Sequence, residues 1–168
     1  MADAPKVKTV PKGFRTATPS LIIDGAAKAI EFYKKVFNAK EIVRMDLPDG
    51  RVGHAEIKIG NSIIMLGDEW PDMSVRSPKS IGGSGSAIFL YVRNCDRIFK
   101  RAVKAGATVI MEPADQFWGD RMAKITDPFG HVWGIATHKE DMTPEEANRR
   151  GAEWMASQAA KAGSASGG

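Results

Sequence analysis

Of the 168 residues only one, Cys95, is a cysteine. An internal disulfide framework is therefore excluded, and a reducing cytoplasmic setting is expected. No apolar run approaches the roughly 20 residues that a membrane-spanning helix needs, so no membrane partner is expected. The first fifteen residues hold lysines and prolines but no apolar stretch of the secretory kind. Lys and Arg total 24 against 20 Asp and Glu, a net charge of +4. The basic residues are scattered, without a stripe interleaved with aromatics, which argues against a nucleic-acid partner. Gly82-Gly83-Ser84-Gly85 leads into a strand-like run, so it lacks the helix N-terminus that would cradle a phosphate. No Ser or Cys nucleophile stands beside a matching base. Cys95 opens a helix, where a thiol pKa can fall, yet it sits on that helix's apolar face, which points to packing.

With 43% hydrophobic and 26% charged residues, the chain has an ordinary globular composition. Residues 1–15 read as a flexible lead-in. Thr18 to Ile23 is rich in strand formers, and Asp24 is placed to cap a helix. Ala26, Ala29, Ile30, Tyr33 and Phe37 fall on one face of that helix. Glu41 to Leu47 reads as a strand, closed by the turn Pro48-Asp49-Gly50. Val52 to Ile59 alternates, with Ala55, Ile57 and Ile59 on one face and His54, Glu56 and Lys58 on the other. Gly60-Asn61 turns the chain into Ser62 to Leu66. That is one βαβββ unit over residues 16–68.

Residues 69–85, rich in Gly, Pro and Ser, read as a linker. The order then repeats over residues 86–140. Ala87 to Val92 is a strand, and Asn94 can cap a helix with Cys95, Ile98, Phe99, Ala102 and Val103 on one face. Gly106 ends that helix in the left-handed conformation. Strands follow at Thr108 to Met111, Ala123 to Thr126 and Val132 to Ala136, the last two joined by Asp127-Pro128-Phe129-Gly130. Ala39 and Ile42 match Ala107 and Ile110 at an offset of 68, and Gly60 matches Gly130 at 70. One four-stranded unit leaves a sheet face bare, so a pair is expected. Thr143-Pro144-Glu145-Glu146 is a capping box opening a C-terminal helix over residues 141–162, with Ala147, Gly151, Trp154, Met155 and Gln158 on one face. Residues 163–168 read as a disordered tail.

The doubled order, with the strings IEFYKKVFNA, GHAEIKIGNSIIMLGDEWP, RAVKAGA and DPFGHVWGIATHKED, resembles the vicinal oxygen chelate superfamily of glyoxalase/bleomycin-resistance proteins. The strings GDEWP, FWGDR and ATHKED make it similar to the PhnB-like branch. The resemblance spans residues 14–141. It implies an α+β fold of two tandem βαβββ modules (the glyoxalase/bleomycin-resistance/dioxygenase fold) with a C-terminal helix. It also implies a homodimer, the commonest form of oligomer.

Metal-dependent members hold a divalent cation on His and Glu ligands from the first and last strand of each module, a donor set suited to Zn, Ni, Mn or Fe. Carried onto this chain, those positions fall at Thr18, at Ala87, at Gly134, and at Ile64 or Met65. None is a metal ligand of the usual kind, so neither a metal nor another cofactor is expected. The resemblance then implies a metal-independent protein that binds a small molecule. An alternative is a lyase or isomerase of glyoxalase type, using a displaced metal or His54 and Glu56 as acid–base groups. His54 and Glu56 share a strand face, the same pattern that a solvated strand presents. His131 reads as a hydrogen-bonding turn residue, and His138 as exposed beyond the last strand.

Thr18, Trp70, Phe117, Trp118 and Trp133 are candidate ligand-contact residues, since aromatic surface with a few polar groups marks organic-ligand sites. Core packing is the alternative for the tryptophans. Arg121 either pairs with Asp120 or holds an anionic ligand. Asp68, Glu69 and Asp72 cluster, but the basic chain disfavours a cationic ligand and leaves neutral or anionic ones open.

Overall fold

The computed structural model describes residues 7–165, which divide into two units. The first runs to Ile88 and includes the later turn Asp127–His131. Its strands β1 (Ser20–Ile23), β2 (Lys40–Asp46), β3 (Val52–Ile59) and β4 (Ser62–Asp68) form one sheet in the order β1-β4-β3-β2. The β1 and β4 strands run parallel, and the other neighbours antiparallel. Between β1 and β2 lies α1 (Ala26–Phe37), which buries the predicted face together with Phe32 and Val36. Ala55, Ile57, Ile64 and Leu66 meet it from the sheet and are at most 2% exposed. Burying each large side chain stabilises the unit by about 1.5–3 kcal/mol.

The start of α1 corrects one expectation. Asp24 is exposed and caps nothing. The cap position is Gly25, at φ 88°, and it has no side chain to offer. The orphan N–H groups of Gly25 and Ala26 donate instead to Oδ1 of Asp68, both at 2.9 Å, while Val52 N–H donates to its Oδ2 at 2.7 Å. A carboxylate 42 residues away therefore does the work of the neighbour, and it ties the entry of α1 to β3 and β4.

A second buried carboxylate organises the turn. Asp127 accepts from the Tyr33 hydroxyl at 2.7 Å and from the N–H groups of Phe129 and His131 at 2.9 Å. Burial, then the Asp127 charge, pushes the Tyr33 phenol well above its ordinary pKa. Phe129 joins Phe32 and Tyr33 in edge-to-face contacts near 6 Å. His131 is buried, and its Nε2 lies 3.1 Å from the Ile22 carbonyl. A carbonyl only accepts, so that nitrogen carries the proton. The role expected of His131 is the one observed.

The linker is less plain than expected. Trp70 and Val75 form a β-bridge around a 3₁₀ turn at Pro71–Met73. A short helix, α2 (Pro78–Ile81), follows, capped by Ser77. Glu69 holds this segment, accepting from the Ser77 N–H and the Ser80 hydroxyl.

The second unit comprises residues 89–126 and the chain from Val132 onward. The strands β5 (Ala87–Tyr91), β6 (Thr108–Asp115), β7 (Asp120–Thr126) and β8 (Val132–His138) order as β5-β8-β7-β6, repeating the first sheet. Phe89 to Tyr91 are the part of β5 in this unit. The helix α3 (Cys95–Lys104) opens at Asn94, whose side chain accepts from Arg97 N–H as expected. Ala123, Ile125, Trp133 and Ile135 are wholly buried and alternate with the residues of the other face. Both β6 and β7 are longer than expected, leaving residues 116–119 as a tight hairpin closed by Gln116 N–H on the Asp120 carbonyl. The last helix, α4 (Pro144–Ala165), continues past the expected end at residue 162. Of the expected disordered tail, residues 163–165 are helical and residues 166–168 lie outside the described residues, as do residues 1–6 of the lead-in.

Replacing Asp68 by Ala strands three N–H groups and should cost about 3 kcal/mol or more. Asp24→Ala should stay within about 0.5 kcal/mol of the native protein. Urea unfolding of the two variants checks the pair, and the reverse order would place the cap back at Asp24.

Candidate functional site

Each sheet carries its helix on one face only, so candidate site residues are those on the other. In the first unit these are His54, Glu56, Lys58, Met65 and the facing residues of β2. Glu56 stands between Val43 and Met65 across the ladder, and His54 opposite Met45. His54 Nε2 lies 3.5 Å from Glu56 Oε1, at the outer limit of a hydrogen bond. Three apolar side chains thus surround a histidine–glutamate pair.

In the second unit the open face carries Phe89 and Tyr91 on β5, Met122 and Lys124 on β7, and Gly134 and His138 on β8. Phe89 and Tyr91 are 43% and 65% exposed, with ring centroids 5.2 Å apart. A Cβ at Gly134 would lie only 2.6 Å from Phe89 Cδ2 and 3.2 Å from Met122 Cε. Phe89 therefore occupies the space in which any side chain at position 134 would stand.

Asp120 is the polar hub of this unit. It is 3% exposed, and it accepts from Tyr91 Oη at 3.0 Å, Trp118 Nε1 at 3.1 Å and His138 Nδ1 at 2.8 Å. The other ring nitrogen of His138 lies 2.9 Å from Asp141. A neutral imidazole has one N–H, so both contacts together require the imidazolium. Asp120, then Asp141, raises the His138 pKa accordingly, and the bond to Asp120 raises that of Tyr91. His138 is exposed, as expected, but it is also a clamp. Lys139 and Glu140 donate their N–H groups to Gly119 O just beyond it. Further along, α4 packs on Phe117 through Gly151 and Trp154.

The expected contact residues do not all stay together. Trp70 belongs to the first unit, where the Arg51 guanidinium stacks 4.3 Å above its ring. Thr18 is also there, its hydroxyl donating to Arg15 O at 3.2 Å. Phe117 and Trp118 meet edge to face at 5.0 Å in the 116–119 hairpin. Two expectations need correction. Trp133 is a core residue, wholly buried on the helix side, because the period-two alternation that turns Gly134 to the open face turns its neighbour to the helix. Arg121 pairs not with Asp120 but with Asp96, through two bonds of 2.8 Å, and with Asp115. Adjacent strand residues point to opposite faces, so Arg121 and Asp120 cannot meet. The Arg121 bond holds the Asp96 carboxyl down at about 2. Cys95 is buried, and burial followed by the Asp96 charge pushes its thiol upward, away from reactivity. Phe89 and Tyr91 were missed by sequence reasoning, although strand alternation and the facing glycine were the available signals.

The metal-ligand positions of the family can now be read individually. Thr18 is tied to backbone, Ala87 ends in a methyl group, and Gly134 has no side chain. Of the two choices in β4, Ile64 is buried with Ile57, and Met65 faces the same side as Glu56. Neither a hydroxyl committed elsewhere nor a thioether replaces His and Glu for a hard or borderline cation. The residues present do not fit the metal.

The model of the glyoxalase/bleomycin resistance protein/dioxygenase superfamily matches residues 15–135, and the chain belongs to that superfamily. An uncharacterized protein of Mycobacterium tuberculosis is 41% identical over 132 residues, covering 77% of this chain and 78% of its own. An Arabidopsis thaliana gene product of known structure is 27% identical, with a TM-score of 0.60 over 73% of this chain and 98% of its own. A PhnB protein from Bacillus cereus shares the fold at 14% identity, with a TM-score of 0.58 over 73% and 99% of the two chains. Among the described residues, no helix is long and apolar enough to cross a membrane.

The clamp at His138 has a pH signature. Its folded pKa is raised, so its contribution is complete below the ordinary imidazole pKa of about 6.5 and is lost as pH rises through the folded value. The thermal midpoint should fall from about pH 6.5 upward more steeply for the native protein than for His138→Gln. The Trp118 indole N–H resonance should move with the same titration. Parallel midpoint curves for the two proteins would remove the clamp.

Proposed function

We propose that this superfamily member is a metal-independent small-molecule binding protein. The observation that carries the reading is Gly134, where a ligand carboxylate has been exchanged for hydrogen and the vacated space holds a phenyl ring. Ala87 and Thr18 support it, since neither offers a free donor. Exposed aromatic surface on a sheet face, next to a few fixed polar groups, is the make-up of an organic-ligand site. A homodimer in the cytoplasm is part of the proposal. Met45 on β2 and Ile110 on β6 are at least half exposed, which a second copy would relieve; sedimentation velocity is the direct check. Elemental analysis of protein purified without chelator should find well under one equivalent of divalent metal per chain. A stoichiometric metal that chelation strips, with loss of an activity, would overturn the reading.

A second reading, a lyase or isomerase, is favoured by the His54–Glu56 pair among Val43, Met45 and Met65. A carboxylate bordered by apolar groups beside an imidazole has the components of general acid–base catalysis. On the binding reading, Glu56→Gln leaves the protein without measurable consequence for any turnover of glyoxalase-type substrates. A loss of about a hundredfold would instead favour the enzyme.

A further inference from the structure

We propose that the open sheet face of the second unit binds a planar aromatic anion, its rings against Phe89 and Tyr91 and its charge at Lys124. The proposal deepens the binding reading above and rests on it. Three observations carry it. The first is the platform. Phe89 reaches over β8 only because Gly134 lacks a Cβ, and Tyr91 follows two residues on, its ring 5.2 Å away. Met122 completes the surface from β7, a soft thioether edge that suits aromatic contact.

The second is rigidity. The Tyr91 hydroxyl is fixed by Asp120, which also accepts from the Trp118 indole and from His138. An exposed ring held in this way loses little freedom when a ligand stacks on it. The same bonds compensate the Asp120 charge beside the platform.

The third is charge. Lys124 is the ladder partner of Gly134 and lies two residues from Met122, so it shares their face. It is only partly exposed, and among the described residues it has no ion-pair partner. Arg121, on the helix side of the same strand, is by contrast held by Asp96 and Asp115. An unneutralised ammonium beside two exposed rings selects a flat ligand bearing a carboxylate, sulfonate or phosphate. It disfavours a cationic one.

The full-length protein tests this with 1-anilinonaphthalene-8-sulfonate, set against N-phenyl-1-naphthylamine, which has the same rings and no charge. Fluorescence titration should give one sulfonate probe per chain and shift the Met122 methyl resonance. Lys124→Gln should weaken the sulfonate probe about tenfold and leave the neutral probe within about twofold. Phe89→Ala, and the milder Phe89→Leu should the first unfold, should weaken both probes. Equal affinity of native protein and Lys124→Gln for the sulfonate would overturn the proposal. So would full affinity in both Phe89 variants, or no binding by folded native protein. In that last case, metal-free protein leaves the broader binding reading standing, whereas bound stoichiometric metal removes that reading irrespective of the probes.

Discussion

A four-stranded sheet has two faces, and in each unit one helix, α1 or α3, packs against one of them. From that constraint the division of labour in the molecule follows. The helix-facing positions are Ala, Ile, Leu and Trp with almost no exposure. The opposite positions must tolerate water, a partner or a ligand, and they mix charge with large apolar groups. In the first unit the mixture is His54, Glu56, Val43, Met45 and Met65; in the second it is Phe89, Tyr91, Met122 and Lys124. The candidate residues gather on that open face, and strand parity decides which of them reach it.

The strings that make the chain resemble its superfamily serve the fold rather than the site. In DPFGH, Asp127 gathers the Tyr33 hydroxyl and two backbone N–H groups, Phe129 enters an aromatic cluster, and His131 bonds a carbonyl. In GDEWP, Asp68 caps a helix across 42 residues, Glu69 fastens the following segment, and Trp70 lies under Arg51. Such a carboxylate is costly to replace, because each buried N–H it serves would be left unpaired. Family strings of this kind answer to the fold, and the demands of a site fall on different residues.

That separation also explains what could be read from the sequence. Periodicity located both helices and the strand order, because it reports burial directly. It placed His54 and Glu56 on one face for the same reason. It gave no access to the partner of Arg121, since Asp96 lies 25 residues away on a helix, nor to the Asp68 cap. Trp133 was misjudged by its size, where its parity with Ile135 already assigned it to the core. Short helices in the linker carry too few residues to show a period.

The close approach of Phe89 to Gly134 is where the fold bears on the proposed function. A β8 residue on the open face needs no side chain for stability, because nothing packs on it from a helix. At Gly134 the place a Cβ would take is held by the Phe89 ring from the neighbouring strand. On the proposed reading, a position that serves a cation in metal-dependent members here presents hydrocarbon beside the Lys124 ammonium group. On the proposed reading the face favours an anion, and it does so on the backbone of the superfamily.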